Sequence, residues 1–280
     1  MPDAITGNTQ MVATKQDLIA AVVQKELKHR AILAPFFMDL SSLAVKGAKT
    51  VSIPKMTSFT AIDRASGVAG DSTVLSAAVD QLALEWNAYV AWLIDESDAV
   101  QSTIDWELMT VTRAASAHAR FFESKLIAAA FASGKLLTAG AITRDKILEG
   151  REYLRKNEAD LSQVILAVAP DQETALLKID EFTRADIYGS AVVPNGVAGR
   201  LYGMPVVIHS GLADGQYFLA EREGLAYAFQ SGPNYSEQGA NEFGALSKRR
   251  AMDQLFGVKA LQIDQGIATG GKSALIACSA

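Results

Sequence analysis

The sequence predicts an α+β fold in which extended elements and one long helix precede a compact mixture of short strands and helices. Three observations predict it. From Gln81 to Ile94, apolar side chains occupy every second position, which is the period of a β-strand. Over residues 102–134, apolar residues recur every three or four positions, which is the period of a helix. From residue 143 onward, short apolar runs alternate with helical segments.

The composition excludes several classes of protein. The chain has 280 residues, enough for one large or two modest domains with a core. Its net charge of −5 argues against a surface that binds nucleic acid directly. The single cysteine, Cys278, excludes a disulfide framework within the chain. The sequence contains no apolar run long enough to span a membrane and no secretory signal, so we expect no membrane partner.

The N-terminal region predicts an arm followed by a helix. Residues Met1–Ala13 are small and polar, which is typical of an extended arm. Thr14 and Asp17 have the spacing of a helix N-cap, and apolar residues follow at helical intervals. We therefore expect an amphipathic helix over Lys15–Arg30, with Pro35 ending the region.

The next segment predicts a long hairpin. The run Lys49–Ser58 alternates as a strand and would pair with Gln81–Ile94. The stretch between them is rich in Gly, Ser and Asp, so it predicts a loop at the tip of the hairpin. The expected tip residues are Arg64, Gly67, Gly70 and Asp71. The expected apolar face consists of Val51, Ile53, Leu82, Leu84, Trp86, Val90 and Trp92.

The pattern alone leaves open what covers this apolar face. An isolated two-stranded hairpin is marginal in water, so either a neighbouring chain or the hairpin's own domain must bury it. If a neighbour covers it, Trp86→Ala and Trp92→Ala should weaken assembly more than they weaken the subunit fold. The tip should then resist proteolysis only after assembly.

A long helix follows the hairpin. Ser102 and Asp105 match a capping box, and Gly134 is a typical helix stop. About 30 residues at 1.5 Å each predict a helix of about 45 Å. Its apolar positions are Ile104, Leu108, Val111, Ala115, His118, Phe122, Leu126 and Ala129.

The remaining chain predicts an α/β region. We expect helices over 143–156 and 170–182 and a buried strand over 164–169. Glycine-bounded strands are expected over 201–210, 217–222 and 224–230, with another over 254–264.

The segment Gly266–Ser273 matches the phosphate-binding P-loop pattern, in which Lys272 would reach a nucleotide. That loop must open a helix, and the residues after it are too few for a helix that packs on a sheet. We therefore interpret the segment as part of a flexible C-terminal tail and expect deletion of residues 270–280 to leave most of the fold intact. A nucleotide hydrolase is kept as a remote alternative.

No other group of residues predicts catalysis or a cofactor. His29, His118 and His209 lie on separate elements, and none has a second metal-type ligand nearby in the sequence. Core or interface positions are expected for them. Further candidate groups have structural interpretations: the acids Asp95, Glu96 and Asp98 would precede the long helix, and the basic run 247–250 would form salt bridges or face solvent. Cys278 is a weak candidate nucleophile, and the chain is expected not to be an enzyme.

The order of these parts resembles the major capsid proteins of tailed bacteriophages, which have the Hong Kong 97-type shell fold. The resemblance covers nearly the whole chain. Lys49–Ile94 is similar to the family's extended loop, and the run "LIDESDAVQSTIDWELMTVTRAASAHARFFESKLIAAAFASG" to its passage into the spine helix, with Glu123 and Gly134 closing it. The runs "GRLYGMPVVIHSGLADGQYFLAEREGLAYAF" and "LFGVKALQID" resemble later strands of the family.

The resemblance implies a shell protein that assembles as pentamers and hexamers around double-stranded DNA, enclosing it without reading its sequence. The implied parts are an N-terminal arm (1–47), an extended loop (48–98), a peripheral domain with the spine helix (99–138 and 255–280) and an axial domain (139–254). The hairpin would lie across a neighbouring subunit. A separate scaffolding protein and a portal are the implied partners, and the virion, after assembly in the host cytoplasm, is the implied location.

Two further features of the family bear on this chain. Some family members crosslink a lysine to a neighbour's asparagine; Lys55 lies on the hairpin, but no partner asparagine is identified. An encapsulin-type nanocompartment shell shares the fold and encloses an enzyme instead of DNA, so it is the nearer alternative function.

Overall fold

The computed structural model describes residues 31–56, 63, 77–95, 106–137, 140–179, 197–238, 247–261 and 276–279. The predicted arm and helix before residue 31, the hairpin tip, Ser102 and Asp105, and Gly266–Ser273 lie outside these residues. Among the described elements, mixed helices and sheets confirm the α+β class.

The described part contains three α-helices, each within a range that the sequence predicts as helical. These are α1 (Trp106–Ser133), α2 (Arg144–Lys156) and α3 (Pro170–Leu176). Short 3₁₀ turns lie at Ala34–Phe36, Ser41–Leu43 and Arg222–Gly224. Gly134 follows the last residue of α1 as expected. No side chain fits there, because a β-carbon would lie 2.9 Å from both Ile276 and Cys278. Helix α3 ends before the predicted residue 182.

Thirteen strands are described, in three sheets. The first group is β1 (Met38–Asp39), β2 (Thr50–Met56), β3 (Ala77–Ala83), β4 (Trp86–Asp95) and β5 (Lys135–Leu136). The next is β6 (Val164–Val168), β7 (Val197–Leu201), β8 (Met204–Ile208) and β9 (Tyr217–Glu221). The last is β10 (Leu225–Phe229), β11 (Asn234–Gln238), β12 (Ser247–Ala260) and β13 (Ile276–Ser279).

The strands form two larger sheets and one two-stranded ribbon, and both larger sheets contact α1. One sheet has the order β1-β10-β12-β11, with β4 also pairing with β12. The other has the order β5-β13-β9-β6-β8-β7, and β2 and β3 form a separate ribbon. Helix α1 packs against both larger sheets: Phe122 contacts the rings of Tyr227, Phe229 and Phe256, while Phe131 contacts Phe218. The main core therefore runs continuously from one sheet to the other.

Several predicted strands have different limits in the structure. The run Gln81–Ile94 is two strands, because β3 pairs with β2 whereas β4 pairs antiparallel with β12. The predicted strand 201–210 is a tight hairpin, since Tyr202 and Gly203 have φ of 51° and 87° and turn the chain between β7 and β8. Strand β12 begins at Ser247, so the basic run 247–250 is part of it, and β11 was not predicted.

The C-terminal segment is also different from the predicted flexible tail. Strand β13 lies between β9 and β5, and Ile276, Ala277 and Cys278 are fully buried. Deleting residues 270–280 would remove this interior strand, so the expectation that the fold tolerates the deletion is wrong. Cys278 is a core residue.

Sheet membership crosses the predicted domain limits. Strands β10 and β11 fall within the range 139–254 but belong to the sheet of β4 and β12. Strand β13 falls within 255–280 but belongs to the sheet of β6 and β9.

Candidate assembly surfaces

The base of the β2–β3 ribbon is fixed to its own subunit. Val51, Leu82 and Leu84 are buried and pack with Ala226, Ala228 and Leu261, and Ile53 packs at the edge of the same cluster. Their outward neighbours alternate with them along the strands, as the period of two predicts. The predicted apolar face therefore lies, at this base, against the chain's own five-stranded sheet.

Two close contacts hold the ribbon in this position. The Lys259 ammonium bonds the Asp80 carboxylate and donates to the Gln81 carbonyl at 2.8 Å. Gly257 allows β12 to pass under the ribbon, because a β-carbon there would lie 2.2 Å from the Ala83 carbonyl oxygen. Any side chain at Gly257 would separate the two elements.

Trp86, Val90 and Trp92 lie on β4, outside the ribbon to which they were predicted to belong. Val90 and Trp92 pack against the small-residue face of α1, and the Trp92 ring lies 6.2 Å from the ring of Tyr235. The Lys125 ammonium lies 3.6 Å from the centre of the Trp86 ring, a cation–π contact. These half-buried rings face their own helix, so contact with a neighbouring subunit stays a prediction for them.

A buried hydrogen-bonded pair joins three distant segments. His209 Nδ1 accepts a bond from the Gly211 amide at 3.0 Å, so the ring proton is on Nε2, which donates to Glu123 Oε2 at 2.5 Å. Glu123 Oε1 accepts from the Leu33 amide at 2.9 Å. Both side chains are nearly inaccessible to water. The pair fixes the residues before β1 and the loop after β8 onto α1.

A second group of charges joins the start of α1 to the sheet. The Arg250 guanidinium lies 3.6 Å from Glu107 and 3.5 Å from Glu237, which also lies 3.6 Å from the Lys248 ammonium. The Arg250 side chain is only 8% exposed. Burial raises the pKa of the adjacent Tyr235 hydroxyl, an effect that Arg250 opposes. The basic run 247–250 therefore forms salt bridges, one of the two predicted outcomes.

His118 is one of the buried polar residues of the described chain that lie outside these two networks. It is 1% exposed, and no hydrogen bond of good geometry reaches either ring nitrogen within the described part of the chain. Burial lowers its pKa below the ordinary 6.5, an effect that the charge of Asp253 and a weak hydrogen bond with the Met252 backbone oppose. The prediction of a core or interface position is consistent with this burial.

Some predicted site residues cannot be placed. The side chains of Lys55 and Asp95, the acids Glu96 and Asp98, His29 and the tip residues Arg64, Gly67, Gly70 and Asp71 lie outside the described parts. Within the described ranges, no group of three or more His, Cys, Asp or Glu side chains could hold a metal ion. No described helix is long and apolar enough to cross a membrane.

Comparison with known proteins identifies the family. The model of the phage capsid protein family matches residues 90–264, more than half of the chain. No curated protein matches. Similar solved structures include that of Mycobacterium phage Che8, with 19% identity, a TM-score of 0.70 and coverage of 88% of this chain and 90% of that one. Microbacterium phage Oxtober96 gives 17% identity, a TM-score of 0.66 and 90% coverage of both chains.

A third neighbour is a virus-like particle from Pyrococcus furiosus, with 9% identity, a TM-score of 0.63 and coverage of 95% and 99%. At these identities the structural matches show a shared fold, the Hong Kong 97-type fold that the sequence predicts. The family match adds a role, that of a structural, non-enzymatic shell subunit. The chain belongs to the phage capsid protein family.

Proposed function

We propose that this protein is the major capsid protein of a tailed phage, and that its copies form the pentamers and hexamers of an icosahedral shell around double-stranded DNA. The observation that carries the proposal is the family match over residues 90–264, on a fold that capsid subunits share over about nine tenths of the chain. Many weak contacts repeated by symmetry would stabilise such a shell.

The sheets suggest how the domains divide. We assign the sheet of β4, β10, β11 and β12, with α1, to the peripheral domain. The sheet of β5, β6, β7, β8, β9 and β13, with α2 and α3, is assigned to the axial domain. We divide the two domains by strand pairing and not at residues 139 and 255, the limits that the sequence implied. The ribbon β2–β3 is the described part of the extended loop, and its outer portion would reach a neighbour.

The partners follow from the role. A scaffolding protein would set the shell's curvature, a portal would occupy one vertex, and assembly would take place in the host cytoplasm before DNA enters. A net charge of −5 fits a shell that encloses DNA without holding it tightly. A nanocompartment shell is the alternative with the same fold, and the phage family match favours the capsid.

Electron microscopy of the expressed chain, alone and with its phage's scaffolding protein, tests the proposal. We expect shells or tubes with five- and sixfold capsomers, and nuclease-resistant double-stranded DNA in particles from infected cells. A stable monomer under every condition would contradict shell formation. Particles that contain an enzyme and no DNA would support the nanocompartment.

A further inference from the structure

A groove runs along one side of helix α2. Its volume is about 440 Å³, and it is lined by Leu148, Arg151, Glu152, Arg155 and Lys156. These residues recur every three or four positions, so they share one face of the helix. Three of the five are basic and one is acidic, so the groove is locally positive on a chain whose net charge is −5.

Ion pairing leaves the two arginines of the groove uncompensated. The Lys156 ammonium lies 2.6 Å from the Glu152 carboxylate, so these two charges offset each other. Within the described residues, neither Arg151 nor Arg155 forms an ion pair. They are four residues apart, about 6 Å along the helix axis, so both guanidinium groups can reach the same stretch of an anionic chain.

Arg151 also has an unmet hydrogen-bonding capacity. Its guanidinium lies 5.2 Å from the centre of the Tyr202 ring, in the turn between β7 and β8, and this cation–π contact helps to hold the side chain in place. The Arg151 Nε and the Tyr202 hydroxyl are both buried, and neither has a hydrogen-bond partner in the described part of the chain. The nitrogen can only donate and the hydroxyl can donate, so an oxygen acceptor would satisfy both groups.

We propose that this groove binds phosphate groups of the double-stranded DNA that the shell encloses. Arg151 and Arg155 donate hydrogen bonds to phosphate oxygens, and these contacts do not depend on the base sequence. The proposal rests on the proposed function and deepens it, because it requires this face of α2 to lie on the inner side of the shell.

The chemistry of the groove favours the backbone of a duplex as the ligand. Arginine presents a planar fork of donors that matches the oxygens of a phosphate. Sites for single strands add exposed aromatic rings on which bases stack. None of the five lining residues is aromatic, and the neighbouring Tyr202 ring is already in contact with Arg151.

Two phosphate contacts per subunit give weak binding, which is compatible with DNA that enters the shell after assembly. Each neutralised phosphate contributes about 0.9 to the slope of log K against the logarithm of the salt concentration. The affinity should therefore fall about tenfold between about 50 and 200 mM salt. Because the shell repeats the contact in every subunit, many weak contacts act together on one DNA molecule.

Matched double variants test the groove. Arg151→Gln with Arg155→Gln removes two charges from it. Arg113→Gln with Arg120→Gln removes two charges from exposed positions of α1, where neither arginine forms an ion pair within the described residues. Free subunits are titrated with short duplexes of two unrelated sequences at several salt concentrations.

We expect the parent and the α1 variant to bind both duplexes equally well. The groove variant should bind at least about tenfold more weakly at low salt, with a salt slope smaller by about 1.8. Arg155→Gln alone keeps the contact between Arg151 and Tyr202 and should lose about half of that slope, so it serves if the double variant melts early. No loss in the groove variants, or an equal loss in the α1 variant, would overturn the proposal.

An acidic protein segment is the competing ligand, and a competition experiment separates it from DNA. An oligoglutamate peptide with the charge of the duplex should displace the duplex poorly, because its carboxylates are attracted by charge alone. Equal competition by the peptide would assign the groove to an acidic protein segment and would overturn the role of DNA.

Arginine modification with phenylglyoxal tests the site in assembled particles. We expect Arg151 and Arg155 to react in DNA-free shells and to be protected in DNA-filled shells. Protection already present in DNA-free shells would show that a neighbouring subunit covers the groove. Equal reactivity in both kinds of shell would show that DNA does not reach it, and either result overturns the proposal. A parent chain that never forms shells contradicts the proposed function instead, whereas the duplex titration tests the groove in free subunits.

Discussion

At the scale of single residues, Glu123 and His209 show what sequence reasoning missed. The two are 86 residues apart, and His209 was predicted to be a core or interface residue without an assigned partner. Nothing in the local sequence signals their contact, because it forms only when α1 packs against the loop after β8. Residues 33, 123 and 209 nevertheless meet in one buried hydrogen-bonded group.

This group predicts the effect of Glu123→Gln. The carboxylate accepts two bonds, from Leu33 N–H and from His209 Nε2–H. An amide can accept at only one end, and its NH₂ group would oppose one of the donors. We expect the free energy of unfolding to fall by about 1–3 kcal/mol, the cost of a buried donor left unpaired.

Denaturant titration measures this loss. Glu152→Gln is the control, because Glu152 is an exposed residue whose partner is the surface residue Lys156, and its substitution should have little effect. Equal midpoints for the parent and Glu123→Gln would contradict the buried role of Glu123.

His118 predicts a pH effect of definite sign. Because its pKa is lowered in the folded state, the unfolded chain binds a proton more readily as the pH falls below 6.5. The folded state therefore loses stability below pH 6.5, and the loss ends once the pH is below the folded-state pKa. The charge of Asp253 on β12 makes the lowering of the His118 pKa smaller. Residues 87–90 of β4, which line a cavity together with His118, carry no charge.

Melting temperatures of the parent and His118→Leu between pH 7.5 and about 5 test this sign. The parent should lose more stability on acidification than the variant does. Other titrating groups, such as Glu221 with its raised pKa, are common to both proteins and cancel in the difference. Parallel curves would show that His118 does not titrate in this range.

At the scale of elements, the helices and short buried strands were predictable and the pairing was not. The period of α1 and the position of Gly134 are local properties of the sequence, and both were predicted. The alternation of apolar residues from Gln81 to Ile94 continues across the break between β3 and β4. Alternation shows which side of a strand is buried, but it does not show which strand pairs with it. The Leu84 N–H donates to the Lys49 carbonyl oxygen at 2.9 Å, beside the ribbon, whereas Trp86, two residues later, already pairs with Phe256 of β12.

Strand β13 predicts that the C-terminus is essential to the six-stranded sheet. Ile276 is fully buried between α1 and β9, so Ile276→Ala should lower the free energy of unfolding by about 2–5 kcal/mol. The control is Leu136→Ala on the adjacent β5, where the side chain is 54% exposed and little change is expected. Chemical denaturation of both variants gives the comparison, and similar small losses would restore the interpretation of a dispensable tail.

At the scale of the whole molecule, α1 packs against both larger sheets. The contacts that β4 makes within its own subunit determine whether a substitution of its tryptophans affects the stability of the subunit, its assembly or both. The sequence suggested that Trp86 and Trp92 serve a neighbouring subunit. In the structure Trp92 packs on Tyr235 and α1, and Trp86 lies under Lys125. Since both rings are only half-buried, part of each remains available to another chain.

We therefore expect Trp92→Ala to destabilise the subunit itself, by about 2–3 kcal/mol, less than the range of about 3–5 for a fully buried tryptophan. Shell yield should fall as well, because fewer subunits are folded and because any contact made by the exposed half is lost. Thermal melts of free subunits, beside sedimentation of assembled shells, separate the two effects. Tyr89→Ala is the matched aromatic change on the outward face of the same strand, where the side chain is 56% exposed. It should leave the stability of the subunit nearly unchanged, so a Trp92→Ala subunit as stable as Tyr89→Ala would return Trp92 to the intersubunit role that the sequence first suggested.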